Sequence, residues 1–134
     1  MSLDDALNKV RSTVPECVAT GFVDMKTGML LSVKTVDSHP QEVLDLVAAA
    51  TGELFQGQNV SAIESTFKRM RGVRDDGHHY FQEIIIMSDN LIHVFQRCKR
   101  NEDMVLVVVC RISANLGMVL TKSRGNLEAV EAAV

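Results

Sequence analysis

The chain has 134 residues, a formal net charge of −3, 46% apolar side chains and no tryptophan. That size suits one domain, 1–134, able to bury a core without disulfides or metal, and the mild acidity gives no electrostatic reason to expect a nucleic-acid partner. Three cysteines, Cys17, Cys98 and Cys110, make an odd set without paired spacing and read as small buried hydrophobes in a reducing cytoplasm.

The amino-terminal MSLDDALNKV carries two acids and no apolar core segment, unlike a secretory signal. The apolar run MVLVVVC at 104–110 is far too short to cross a bilayer as a helix. A soluble, cytoplasmic protein without membrane insertion is expected.

In chain order, residues 2–12 predict a short helix. Ser2 and Asp5 have capping-box spacing, and Leu3, Ala6, Leu7 and Val10 share a face. From 17 to 35 the period changes to two, interrupted by DMKTG at 24–28, which predicts a hairpin with Gly28 free to take positive φ. Asp24 reads there as a turn former rather than a catalytic acid.

Residues 40–56 form the clearest helical pattern, with Ser38 as a candidate cap, Pro40 at the first position and Gly57 at the end. Val43, Leu46, Val47, Ala50 and Leu54 make one stripe. Leu44, Ala48 and Phe55 widen the apolar arc to roughly 200°, about twice what one sheet face needs. Leaving Leu44 and Phe55 in water would forfeit roughly 1.5–3 kcal/mol each, so both are expected to be covered.

Residues 61–71 predict a second short helix, with Ser61 and Glu64 as a capping box and Ile63, Phe67 and Met70 on its apolar side. A loop follows at 72–79. Three strands come next, at 80–87, 91–98 and 104–111, the last apolar on both faces as in a strand covered from both sides. A final helix starts near Ser113 or Asn115, with Leu116, Val119, Leu120, Ser123, Leu127 and Val130 on one face and Gly125 as a point of kinking. The order predicts a five-stranded antiparallel sheet with helices on both faces and the last strand central.

Catalytic signals are sparse. No phosphate-cradling glycine loop, nucleophile elbow or H-E-x-x-H pair occurs. His78 and His79 adjoin Asp75 and Asp76 but match no zinc spacing, and read as a solvated loop. Cys98 next to Lys99 and Arg100 has cations that favour a thiolate, yet no assignable base, and reads as structural. His93, on an alternating strand, reads as a half-buried structural residue. Lys68, Arg69, Arg71 and Arg74 read as a solvated basic face. No metal or cofactor site is expected.

The hairpin TGFVDMKTGMLLSV (20–33), the small-residue-rich VLDLVAAATGEL (43–54) and the closing ISANLGMVLTKSR (112–124) together resemble the roadblock family, the dynein light-chain-type domains that include bacterial regulators of small GTPases. The resemblance implies a profilin-like α/β sandwich that homodimerises through its second helix and third strand. It places the self-association surface on Val43, Leu44, Val47, Ala48, Phe55, Ile84 and Ile86. It further implies a non-enzymatic scaffold that binds a Ras-like small GTPase or a similar signalling or motility partner. Residues 57–78 are an insertion relative to that pattern, and their Ile63, Phe67 and Met70 offer another way to cover Leu44 and Phe55. Two other readings stay open: a profilin-like small-molecule sensor with a pocket between the sheet and helix 61–71, and a redox enzyme using Cys98.

Overall fold

The computed structural model describes residues 1–36, 41–74 and 77–134, and for 41–45 the backbone alone. The candidate caps Ser38 and Pro40, and Asp75 and Asp76, lie outside the described residues. The elements run α1 (Leu3–Thr13), β1 (Cys17–Asp24), β2 (Met29–Thr35), α2 (Gln41–Gln56), α3 (Gln58–Met70), β3 (Glu83–Met87), β4 (Leu91–Arg97), β5 (Met104–Arg111) and α4 (Leu116–Ala132).

Local chemistry sets several boundaries. Ser2 and Asp5 close a reciprocal capping box at the start of α1, satisfying two amides that the first helical turn leaves without partners. At the β1–β2 corner, Asp24 accepts from the Lys26 amide at 3.0 Å, and Gly28 adopts φ 73°, so the aspartate is a turn residue as its position predicts. Asn115 caps α4 by accepting from the Met118 amide at 3.0 Å. That helix runs unbroken through Gly125, contrary to the expected kink, because Ser123, Leu127 and Val130 are buried on either side of it and hold the axis.

The sheet order is β2-β1-β5-β4-β3, and every neighbouring pair is antiparallel. The apolar β5 is central, and β2 and β3 are the edges. Alternation along the strands sorts side chains into two cores. Phe22, Ile92, Val94, Leu106 and Val108 face α1 and α4, where Leu7, Val10 and Val119 complete a sealed layer. Val23, Val105, Val107 and Phe95 face the other way, towards α2. The three cysteines are unpaired: Cys98 and Cys110 are buried, and Cys17 lies opposite Cys110 across the β1–β5 register.

The α2 face departs from the expected stripe. Ala48, Thr51 and Phe55 are the buried line, packed on the sheet within one chain, whereas Leu46 and Val47 are exposed. Ala48 and Phe55 were expected at a surface between copies. Instead they are buried in the core of the single chain, since a wide apolar arc lets the helix roll until its bulkiest aromatic is covered. Val43 and Leu44 lie among the residues whose side chains are not described.

Candidate functional site

The α2 side of the sheet has three adjoining features: a polar clamp, an apolar groove and an open strand edge. The clamp explains α3. Its N-cap is Gly57 without a side-chain bond, so Ser61 and Glu64 form no capping box. Glu64 turns inward instead, accepting from the Tyr80 amide and meeting His79 Nδ1 at 3.0 Å. Burial opposes its charge, but the bonds from His79 and the Tyr80 amide outweigh burial and hold the carboxyl below its ordinary range.

Lys68 is also buried; its Nζ donates to the His78 carbonyl at 2.5 Å and lies 5.5 Å from the centre of the Tyr80 ring. Arg97, on β4, joins this cluster to α2. Its guanidinium donates to the carbonyls of Phe81, Glu102 and Phe55 and to Gln56 Oε1 at 2.9–3.2 Å, over the Phe55 ring. Each donated bond offsets desolvation of a side chain only 2% exposed.

This arrangement inverts α3. Its charged Glu64 and Lys68 are inside, while Ile63, Phe67 and Met70 are exposed. They therefore do not serve as a lid over α2, and Lys68 is not part of a solvated basic face. Of the two adjacent histidines, His78 pairs with Glu102 at 2.7 Å and His79 with Glu64. Among the described residues no group of three or more His, Cys, Asp or Glu is placed to hold a metal ion. Cys98 is fully buried, and burial pushes its thiol up to about 12, which removes the thiolate that a redox reading of that residue requires.

The groove exists because α2 lies over β2 and β1 and meets β4 at its carboxyl end, through Phe55 and Arg97. The sheet face towards β3 is left uncovered. Val47, Ala50 and Leu54 form one wall, Phe95, His93 and Ile86 the other, and Gly21, Val107 and Val109 the floor, around a space of about 590 Å³. A Cβ at Gly21 would come within 3.4 Å of Leu30, so glycine there keeps the floor low. His93 Nε2 lies 3.1 Å from Ser88 Oγ, and burial lowers the pKa of its ring.

Beyond that wall lies β3, which among the described residues pairs with β4 alone. Ile84 and Ile86 point to the groove side, opposite Phe95 and His93, and Ile85 and Met87 to the α4 side. Ile85, Ile86 and Met87 are all exposed. Glu83, at the strand's start, is held by Arg124 of α4 through two bonds of 2.6 and 2.9 Å. Of the residues expected at a self-association surface, Val47 and Ile86 meet across the groove, Ile84 is half-buried next to it, and Ala48 and Phe55 lie beneath α2. Sequence reasoning missed Arg97. The signal that was available is a lone arginine closing the largely apolar strand LIHVFQR.

The sheet order, the helices on both faces and the last strand at the centre define a profilin-like sandwich of the roadblock/LC7 type. No family model and no curated protein matches the sequence. Solved structures carry the likeness. The gliding protein MglB from Thermus thermophilus is 19% identical, with a TM-score of 0.70 over 98% of this chain and 87% of that one. A roadblock/LC7 domain from Streptomyces avermitilis is 14% identical, with a TM-score of 0.67 over 98% and 97%. A structure of MglB with a tetrameric arrangement is 21% identical, with a TM-score of 0.69 over 98% and 90%. No described helix is long and apolar enough to cross a membrane.

Proposed function

We propose that this chain is a roadblock-type regulatory module. It works as a homodimer without catalytic chemistry of its own and binds a Ras-like small GTPase. The observation that carries the reading is the edge of β3. A free strand with Ile85, Ile86 and Met87 exposed is a template for a second strand, and soluble proteins rarely leave one bare. Pairing two copies edge to edge would join the sheets and bring each α2 wall, with Leu46 and Val47, towards the partner's groove side. Val43 and Leu44 belong to the same helix, one turn earlier in sequence.

The likeness to MglB supports a regulator of this kind, and the tetrameric arrangement of one such protein supports self-association through this fold. The GTPase would supply the phosphate-binding loop, which this sequence lacks, and the dimer would supply a platform.

Sedimentation velocity on the wild type and on Leu44→Asp tests the platform. The wild type should sediment as two chains and the variant as one; a wild type that stays at one chain across the accessible concentration range contradicts the proposal. For the partner, a Ras-like GTPase should bind the wild type and change its GTP hydrolysis or nucleotide release. The purified chain alone should hydrolyse no GTP. Absence of any effect across GTPases encoded near this chain would rule out that half of the reading.

A further inference from the structure

Three cysteines without paired spacing give no reason to expect a bonded pair, yet the sheet brings two of them together. Cys17 opens β1, and Cys110 stands directly opposite it near the end of β5. Directly opposed residues of an antiparallel ladder have Cα atoms about 4.5–5.5 Å apart and project to the same face. A disulfide accepts about 4.4–6.8 Å between Cα atoms, so the backbone already meets its geometric requirement. Both side chains lie on the α1 and α4 side of the sheet, and β4 separates them from the edge of β3.

The approach to Cys17 is fixed. Glu16 adopts φ 51°, a left-handed backbone that a residue with a side chain rarely takes. Its carbonyl accepts from the Arg111 amide at 3.1 Å, and its carboxylate accepts from Ser113 Oγ at 2.6 Å. The chain leaving α1 is thereby pinned to the end of β5, one residue before Cys17. Exposure divides the two thiols: Cys110 is fully buried, whereas Cys17 is half-buried next to the exposed Glu16. Hydrogen bonding with Cys110 holds the Cys17 thiol below its ordinary range, against burial, and the positive charge of Arg11 adds to the effect. Arg11 Nε is itself buried without a hydrogen-bond partner among the described residues. The same bond to Cys17, together with burial, pushes Cys110 up. An accessible, acidified thiol beside a partner that can resolve it is the arrangement of a redox-responsive pair.

We propose that Cys17 and Cys110 form a thiol–disulfide modification site whose oxidant is a low-molecular-weight disulfide. The Cys17 thiolate attacks one sulfur of that disulfide, forms a mixed disulfide and expels the other half as a thiolate. Capping Cys17 removes the anion that keeps the proton on Cys110. Cys110 then gives that proton to the expelled thiolate and attacks Cys17 Sγ. The mixed bond breaks, and the second half leaves and takes up a proton equal to the one Cys17 lost to solvent. Two protein thiols are oxidised to one disulfide, and one small disulfide is reduced to two thiols. An excess of small thiol runs the exchange backwards. The bond joins β1 to the central strand and leaves β3 and the α2 side untouched, so the inference stands apart from self-association.

The purified chain, fully reduced and then held in glutathione disulfide, tests this without any variant. After alkylation and unfolding, its intact mass should show the loss of two hydrogens and no retained glutathione. Trypsin should release residues 12–26 linked to residues 101–111, while Cys98, in a separate peptide, carries the alkyl group. Excess dithiothreitol should restore all three thiols. Cys17→Ser should take up no glutathione. Cys110→Ala should keep one glutathione on Cys17, because nothing resolves the mixed disulfide.

A wild type that stays fully alkylatable in glutathione disulfide overturns the inference, as does one that retains glutathione on Cys17 without linking to Cys110. A bond that involves Cys98, or one that joins two chains on non-reducing electrophoresis, overturns it equally. Should Cys110→Ala fail to fold, the wild-type peptide map decides alone: the linked pair supports the proposal and its absence refutes it.

Discussion

The two faces of the sheet are built on different terms. The face under α1 and α4 is sealed by aliphatic packing: Leu7, Val10, Phe22, Leu106, Val108 and Val119 are all inaccessible to solvent. The face under α2 is held at one end by charged and polar groups around Arg97 and Glu64, and is open along the rest. Close packing tolerates no removal and offers no room. A polar clamp fixes two helices at one point and lets the remaining sheet surface stay accessible. The difference leaves the α2 side with accessible sheet surface and makes the other side the sealed one.

Substitutions can break that comparison. The largest loss is expected at the clamp. Arg97→Ala removes every donor to the Phe81, Glu102 and Phe55 carbonyls and leaves a cavity, so urea denaturation should show a loss of about 3–5 kcal/mol. Leu106→Ala on the sealed face should cost about 2–4 kcal/mol by the same measurement, through the cavity alone. Val47→Ala, on the groove wall, should cost less than about 1 kcal/mol because Val47 is already partly in water. A Val47 variant as damaging as Leu106→Ala would mean that the groove is closed.

Glu64→Gln sharpens the comparison through pH. The native state holds the Glu64 carboxyl below its unfolded value, so its contribution is complete above the ordinary carboxylate range and disappears as pH falls through the lowered native value. The glutamine variant should be less stable than wild type at pH 7 by about 1–2 kcal/mol. The two stabilities should converge as the solution is acidified. Parallel curves would show that the His79 and Tyr80 bonds contribute nothing.

Much of the sealed face was legible in the sequence. The Ser2–Asp5 box, the Asp24–Gly28 corner, the doubly apolar β5 and the Asn115 cap all depend on residues within a few positions of one another. The open face was less so, because its decisive contacts are distant along the chain. Glu64 looked like a capping residue until His79 and Tyr80, 15 and 16 positions on, claimed its carboxylate. The strand expected from Tyr80 starts at Glu83, since the Tyr80 amide goes to Glu64, the Phe81 carbonyl to the Arg97 side chain and the Gln82 carbonyl to the Arg97 amide. The direction in which α2 rolls was equally hidden, because an apolar arc that wide allows several orientations on the sheet.

The central claim is that the bare edge of β3 is completed by a second copy. Amide hydrogen exchange on β3 at several protein concentrations tests it most directly. Self-pairing predicts that the β3 amides not bonded to β4 exchange slowly at high concentration and quickly on dilution, and that Ile86→Lys makes them fast throughout. Fast exchange at every concentration, with the wild type indistinguishable from the variant, would contradict it.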